Sequence, residues 1–232
     1  MPPLAVIFDH DGTLVDSLAV VVAATNDVLR AHGVAELPPR TIIAGMVMPT
    51  AERMGLHAGV GAAAEQRVLA CEYYLSAHRI GPGLARAYAG IPEAVGALRS
   101  HGLLQAVVSN NEGRFVRTVL TALDLSEHFA CMYGEEDIPA LKPDPSGPLA
   151  AARVMGVDPR RCVYVGDSGG DALAGRAAGM RTIGVTWGIL ARAEMEGLGF
   201  DALVDRPQDL IAAIMEGDRD GAPSSVLRPR SP

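Results

Sequence analysis

Apolar and polar positions alternate along most of the chain at intervals that predict strands followed by helices. Short, wholly apolar runs bounded by turn residues are typical of buried strands. Runs of this kind occupy residues 4–8, 103–109, 129–133, 162–166, 182–187 and 202–204. Helical patterns lie between most of them, at residues 92–100, 114–123, 148–155, 171–178 and 207–215. Such alternation predicts an α/β fold with a doubly wound parallel sheet.

Residues 16–87 break this alternation and form a predicted helical insert. Apolar residues recur on one helical face first between Leu18 and Leu29, and again between Leu69 and Ile80. Shorter pieces between them are punctuated by proline and glycine. We therefore predict a core of residues 1–15 and 88–216, with an insert at 16–87. Residues 217–232 have little apolar pattern and are predicted to be a disordered tail.

The first predicted strand leads directly into two carboxylates. Asp9 and Asp11 follow the apolar run at 4–8, and Gly12 comes next. Open parallel sheets bind ligands at the carboxyl ends of their strands. One carboxylate can attack a phosphorus atom while its neighbour transfers protons, and two anions so close require a cation. An ordinary turn is the alternative interpretation, because aspartate and glycine are common in turns.

Polar residues also end two other predicted strands. Ser109 and Asn110 provide a hydroxyl and amides that can bind phosphate oxygens. Asp167 follows the strand at 162–166 and Asp171 comes four residues later, so a helix beginning here would present both on one face. Hard oxygen ligands of this type suit magnesium. A helix-capping aspartate followed by a first-turn aspartate is the alternative.

Lys142 is the only lysine among the 20 Lys and Arg residues of the chain. A chain that uses arginine almost everywhere is expected to keep a lysine where a compact charge on a flexible stem is needed. The alternative is a chance surface lysine in a loop. Lys142 lies just before a predicted helix, and this position is compatible with both interpretations.

In combination, these segments resemble the four motifs of the haloacid dehalogenase superfamily. Residues 9–13, Asp-His-Asp-Gly-Thr, match its first motif, Asp-x-Asp-Gly-Thr. Ser109 stands at the second motif, Lys142 at the third, and residues 166–171 match the fourth, Gly-Asp-Ser-x-x-Asp. Most members are magnesium-dependent phosphatases. The resemblance implies a Rossmann-like sheet with an inserted α-helical cap, and Mg²⁺ as cofactor.

The resemblance also implies a role for each site residue. Asp9 would attack phosphorus and form an aspartyl-phosphate, and Asp11 would protonate the leaving alcohol and then activate water. Mg²⁺ would be held by Asp9, by the backbone carbonyl of Asp11 and by Asp167, with Asp171 supporting. The phosphate would be bound by Ser109, Asn110 and Lys142.

The expected substrate is a small phosphorylated metabolite. Residues 184–188 and 45–49 are similar to phosphoglycolate phosphatases, which favours a phosphoglycolate-like substrate or a sugar phosphate. The alternative is a phosphosugar mutase of the β-phosphoglucomutase type, which uses basic cap residues. Lysine-dependent phosphonate hydrolases are excluded because the insert has no lysine, and Asp11 disfavours dehalogenases. A binding protein with an inactive site is disfavoured because the acids and the lysine are intact.

Four residues are candidates for substrate specificity: His10, Met46, Met48 and Arg53. His10 stands where leucine or methionine is more usual in the superfamily. It either faces the substrate or fills the turn.

Composition narrows the class of protein further. The net charge of −7 argues against nucleic acid as a partner, and no apolar run is long enough for a membrane span. The first strand begins by residue 4, which leaves no room for a signal peptide. Three widely spaced cysteines are expected to be reduced thiols, so a cytoplasmic protein is predicted. A monomer or a homodimer is expected. Histidine spacing gives no zinc site.

Overall fold

A computed structural model describes residues 2–216 of the chain. The predicted tail at 217–232 lies outside the described residues. Strands within them are β1 (Ala5–Phe8), β2 (Val15–Asp16), β3 (Arg86–Ala87), β4 (Leu104–Val108), β5 (Cys131–Tyr133), β6 (Cys162–Gly166), β7 (Arg181–Val185) and β8 (Ala202–Val204). The α-helices are α1 (Leu18–Ala31), α2 (Pro39–Ala44), α3 (Thr50–Ala58), α4 (Ala63–Leu84), α5 (Ile91–Ser100), α6 (Gly113–Ala122), α7 (Ser146–Met155), α8 (Gly169–Ala177), α9 (Arg192–Glu196) and α10 (Leu210–Met215).

Six parallel strands form the core sheet in the order β5-β4-β1-β6-β7-β8. β1 lies between β4 and β6, so Ile7 has Ala106 on one side and Tyr164 on the other. All four residues of β1 are buried, as expected for a strand covered on both faces. The predicted doubly wound α/β sheet is confirmed.

Alternate residues of β1 enter two separate apolar clusters. Val6 and Phe8 pack in the cluster that includes residues of α5, α6 and α10. Ala5 and Ile7 pack in the other, with residues of α7. Side chains alternate between the faces of a strand, so this short segment anchors both layers of helices and fixes where the residue after it emerges.

The inserted helices occupy residues 18–84, between β2 and β3, and we call residues 16–87 the cap. α1 and α4 pack against each other, and α3 packs on α4. Gly81, Pro82 and Gly83 are residues that usually weaken or break a helix, but α4 continues through them to Leu84. A Cβ at Gly81 would lie 2.9 Å from the Phe115 ring, so close packing against the core, rather than backbone freedom, accounts for this glycine.

β2 and β3 form a two-stranded antiparallel ladder where the cap joins the core. Val15 pairs with Ala87 and Asp16 with Arg86. Two-residue strands carry no periodic signal, so the sequence did not indicate them. No helix in the described part of the chain is long and apolar enough to cross a membrane.

Candidate active site

Three polar residues emerge together at the carboxyl edge of the core sheet. Asp9 follows β1, Ser109 follows β4 and Asp167 follows β6, and these three strands are adjacent in the sheet. All three residues are buried. The Asp9 N–H donates to the carbonyl of Val165 at 2.8 Å, which continues the β1–β6 pairing by one residue. The strand ends therefore hold these side chains on rigid backbone.

Lys142 enters this group from the loop before α7. Its Nζ lies 2.5 Å from Oδ1 of Asp9 and 2.6 Å from Oδ1 of Asp171. Burial acts to lower the pKa of Lys142, but Asp171 and Asp9 outweigh it and hold the pKa above its usual range. Lys142 is therefore a buried ammonium shared by two carboxylates, which excludes the interpretation of a chance surface lysine.

The Asn110 side chain fixes the backbone of Lys142. Its Nδ2 donates to the carbonyl of Lys142 at 2.9 Å, and its Oδ1 accepts from the Lys142 N–H at 2.8 Å. Asn110 remains a predicted phosphate ligand: its side-chain amide is engaged in this pair, and the residue also lines the cavity described below. Ser109 accepts a hydrogen bond from the Asn111 N–H through Oγ at 3.0 Å, and it lines the cavity described below.

Asp9, Asp167 and Asp171 form a buried acidic cluster in which one oxygen from each lies within 4.8 Å of the others. Asp171 also accepts from the Ser168 N–H at 3.0 Å and from its hydroxyl at 2.6 Å, so both of its oxygens have protein donors. It is thus the least available of the three for a ligand. The donor set, buried carboxylate oxygens converging on one point, fits a magnesium ion.

Asp167 and Asp171 do not share a helical face, contrary to one expectation from the sequence. α8 begins at Gly169, after Asp167. Ser168 is the N-cap, and Asp171 occupies the third helical position in a reciprocal capping box with it. The two carboxylates lie within 4.8 Å of each other because the chain turns at Ser168, between Asp167 and the start of α8.

Burial and mutual repulsion make the acidic cluster unfavourable in its fully ionised form. Burial raises the pKa of Asp9 to about 7 against the opposing effect of Lys142, and Asp171 adds to the rise. Burial, followed by Asp9 and Asp171, raises the pKa of Asp167 well above its usual range. A divalent cation among these groups would favour the ionised forms.

Asp11 has the opposite electrostatic environment. Burial acts to raise its pKa, but His10 and hydrogen bonds from Ser17 and Asn111 outweigh burial and lower the pKa to about 2. The Asn111 Nδ2 donates to Oδ2 at 3.0 Å, and the Ser17 hydroxyl donates to Oδ1. Asp11 is therefore held as a carboxylate whose orientation is set by two neutral donors.

The acidic side chains open into a cavity of about 540 Å³ between core and cap. Asp9, Asp11 and Lys142 lie on the core side. The cap contributes a second set of lining residues: Val21, Ile43, Met46, Met48, Pro49, Thr50, Arg53 and Tyr73. The strand-end acids and the predicted cap candidates Met46, Met48 and Arg53 thus line the same cavity.

The model of the haloacid dehalogenase-like hydrolase family matches residues 6–185. The chain belongs to this family. The match spans β1 to β7 and so includes all four motifs and the cap. The fold, the order of the motifs along it and the family match agree.

Curated relatives of this hydrolase include two phosphatases of Pseudomonas aeruginosa. Phosphoglycolate phosphatase 1 is 27% identical over 98% of this chain and 85% of its own length. N-acetylmuramic acid 6-phosphate phosphatase is 32% identical over 89% of this chain and 92% of its own length. Among solved structures, a predicted phosphoglycolate phosphatase from Haemophilus somnus superposes with a TM-score of 0.80, at 23% identity, over 90% of this chain and 97% of that one. The predicted enzyme class, a phosphoric monoester hydrolase, is confirmed.

His10 of the hydrolase lies behind the cavity rather than in its lining. It is 0% exposed, its ring packs edge-on against Phe115, and Nδ1 lies 3.2 Å from Oδ2 of Asp11 without hydrogen-bond geometry. Of the two alternatives open from the sequence, this position matches the one in which His10 fills the turn.

Sequence reasoning missed several residues that shape the site. Ser17 and Asn111 orient Asp11, and Tyr73 lines the cavity. Gly12 has φ +81°, and a Cβ there would fall 2.1 Å from an Asp167 oxygen, so only glycine lets the first motif approach that carboxylate. Of the residues in this group, Gly12 alone could be identified from the sequence, because it belongs to the first motif.

Proposed function

We propose that the hydrolase is a magnesium-dependent phosphatase that transfers the phosphoryl group of a small metabolite to Asp9 and then to water. The observation that carries this proposal is the contact of Lys142 Nζ with Asp9 Oδ1 at 2.5 Å, in a buried cluster that also holds Asp167 and Asp171. An attacking carboxylate, a positive charge beside it and further acids for a cation are the parts that phosphoryl transfer requires.

Asp9 is the proposed nucleophile because it combines burial with a charge partner. Its carboxylate form is the one that attacks, and Lys142 supports that form. Lys142 also lies where it can neutralise charge on the transferring oxygens. Ser109, at the end of the neighbouring strand, provides a hydroxyl on the same side of the cavity.

Asp11 is the proposed acid and base. With its pKa lowered to about 2, it meets the substrate as a carboxylate. A phosphate monoester loses its second proton at a pKa of about 6, so the proton that Asp11 passes to the leaving alcohol can arrive with the substrate. In the second step the Asp11 carboxylate, which the low pKa keeps ionised, takes a proton from the attacking water.

Asp9 and Asp167 would hold Mg²⁺, with the backbone carbonyl of Asp11 as a further ligand and Asp171 in support. The ion supplies charge neutralisation for the transferring phosphoryl oxygens. The raised pKa values of Asp9 and Asp167 support this assignment, because a cation beside them would offset the burial and the mutual repulsion that raise them.

The proposed substrate is a small phosphorylated acid or sugar. The two Pseudomonas aeruginosa relatives are named for phosphoglycolate and for N-acetylmuramic acid 6-phosphate. Each of these compounds joins a phosphate monoester to a carboxylic acid, and we take that combination as the leading candidate.

We also propose that residues 16–87 move relative to the core, with hinges near residues 15–17 and 83–88. Within residues 2–216 the chain crosses between core and cap through the segments that form β2 and β3, and closure over a bound phosphate would exclude water. The cytoplasmic location and a monomeric or homodimeric state remain predictions.

The direct test is release of phosphate from a metabolite panel and from p-nitrophenyl phosphate, with Mg²⁺ and with excess chelator. We expect activity that chelation abolishes and Mg²⁺ restores. Full activity in chelator would contradict the metal assignment. Isomerisation of a sugar phosphate without release of phosphate would identify the mutase alternative.

A further inference from the structure

Arg53 is a buried cation on the cap side of the cavity. The residue is 3% exposed and lies on α3. Six arginines have a carboxylate oxygen within 4.0 Å of the guanidinium: Arg30, Arg79, Arg117, Arg160, Arg192 and Arg206. Within residues 2–216, no carboxylate oxygen lies that close to the guanidinium of Arg53. Buried charges are normally paired, so an unpaired one that lines a cavity points to an anionic ligand.

Three cap helices hold the guanidinium in a fixed plane. Nη1 donates to Oγ1 of Thr25 on α1 at 3.2 Å. Cζ lies 4.8 Å from the ring centroid of Tyr73 on α4. A stacked guanidinium retains its in-plane donors, and one hydrogen bond to Thr25 uses only one of the five N–H groups that an arginine carries. The remaining donors are preorganised for a planar oxyanion.

We propose that Arg53 binds a carboxylate of the substrate while its phosphate lies at Asp9 and Lys142, an assignment that rests on the proposed function. Among the described residues lining the cavity, Arg53 and Lys142 are the cations. Lys142 is already paired with Asp9 and Asp171, so Arg53 supplies the free positive charge.

Charge balance favours a carboxylate over a second phosphate at Arg53. A carboxylate carries one negative charge and forms two parallel hydrogen bonds with one guanidinium. A second phosphate would carry nearly two charges in a cavity that already contains Asp11 and Glu135. Arg53 would leave part of that charge unneutralised.

The test compares wild type with Arg53→Met on two nearly isosteric substrates, phosphoglycolate and phosphoglycolamide, in which the second group is a carboxylate or a neutral carboxamide. The control variant is Arg67→Met, which removes an exposed cap arginine. p-Nitrophenyl phosphate serves as a reference monoester without a carboxylate. Arg53→Lys retains the charge and loses the planar pair of donors.

We expect Arg53→Met to lower kcat/KM for phosphoglycolate on the order of 10- to 100-fold, mainly through KM. The loss on phosphoglycolamide and on p-nitrophenyl phosphate should be far smaller than the loss on phosphoglycolate, and Arg67→Met should behave as wild type on all three substrates. Arg53→Lys should recover part of the loss. Because no carboxylate is left unpaired by the change, the melting temperature of Arg53→Met should equal or exceed that of wild type.

Four results would overturn the assignment, the last of them together with the proposed function. Wild type could fail to prefer phosphoglycolate over its amide, or Arg53→Met could reduce both to the same extent, which would indicate a structural role. A stronger dependence on Arg53 for ethylene glycol bisphosphate than for phosphoglycolate would replace the carboxylate with a second phosphate. Absence of wild-type activity on every monoester, p-nitrophenyl phosphate included, would instead refute the proposed function and the assignment with it.

Discussion

Replacing Lys142 by methionine should destabilise the protein in a pH-dependent manner. The substitution removes the ammonium that lies 2.5 Å from Asp9 and 2.6 Å from Asp171 and leaves both buried carboxylates without it. Breaking a buried ion pair in this way costs about 3–5 kcal/mol. For a protein of this size, that corresponds to a fall in melting temperature of roughly 6–20 °C without metal.

The sign of the pH dependence follows from the carboxylates. The pKa of Asp9 is already raised in the wild type, and loss of Lys142 raises it further. A carboxyl group with a raised pKa in the folded state binds more protons there than when unfolded, so its ionisation destabilises the fold as the pH rises. The deficit of Lys142→Met relative to wild type should therefore be small near pH 5 and large near pH 8.

Melting followed by circular dichroism in chelator at the two pH values measures this deficit. Lys142→Arg is the matched control: it retains the charge, so it should recover most of the stability. Its activity should still fall by about 100-fold or more, because a planar guanidinium that pairs with the two carboxylates does not direct a donor to the transferring phosphoryl oxygens as the compact ammonium does. An equal deficit at both pH values would mean that lost packing, not charge, explains the effect.

Three further predictions concern proton transfer, the metal and the cap. Asp11→Asn should lower kcat about 10²- to 10⁴-fold with the fold intact by circular dichroism; a smaller loss would assign the proton to another group. In chelator, wild-type stability should fall as the pH rises from about 4 through about 7, because the pKa values of Asp9 and Asp167 are raised, and Mg²⁺ should reverse the fall; a pH-independent melting temperature would contradict this. Met46→Ala and Met48→Ala should change the ranking of a metabolite panel more than the melting temperature, and an unchanged ranking for both would move specificity to other cap residues.

Much of the core could be predicted because its signals are local. A wholly apolar run such as residues 4–8 favours a strand buried on both faces, and the first polar residue after it must emerge at the carboxyl edge. That is why Asp9, Ser109 and Asp167 were expected at one edge, where the structure has them. The lone lysine was also informative, because composition made its retention unusual.

The rest depends on contacts between distant segments. The hydrogen bonds from Ser17 and Asn111 to Asp11 join positions that have no common pattern. Pro82 lacks the N–H that would bond to the carbonyl four residues earlier, but only two residues of α4 follow it, so this interruption falls in the last turn of the helix. Arg53 has no carboxylate partner because of the way α1, α3 and α4 pack around it, so the sequence near Arg53 does not reveal it.

The central claim is that Asp9 carries the phosphoryl group during turnover. The enzyme is quenched rapidly while it turns over a monoester substrate. Borohydride then reduces any acyl phosphate to an alcohol. Peptide mass spectrometry should then find homoserine at position 9, dependent on both substrate and Mg²⁺ and missing in Asp9→Asn. Reduction at another carboxylate would contradict the account, as would an unmodified Asp9 in enzyme trapped during turnover.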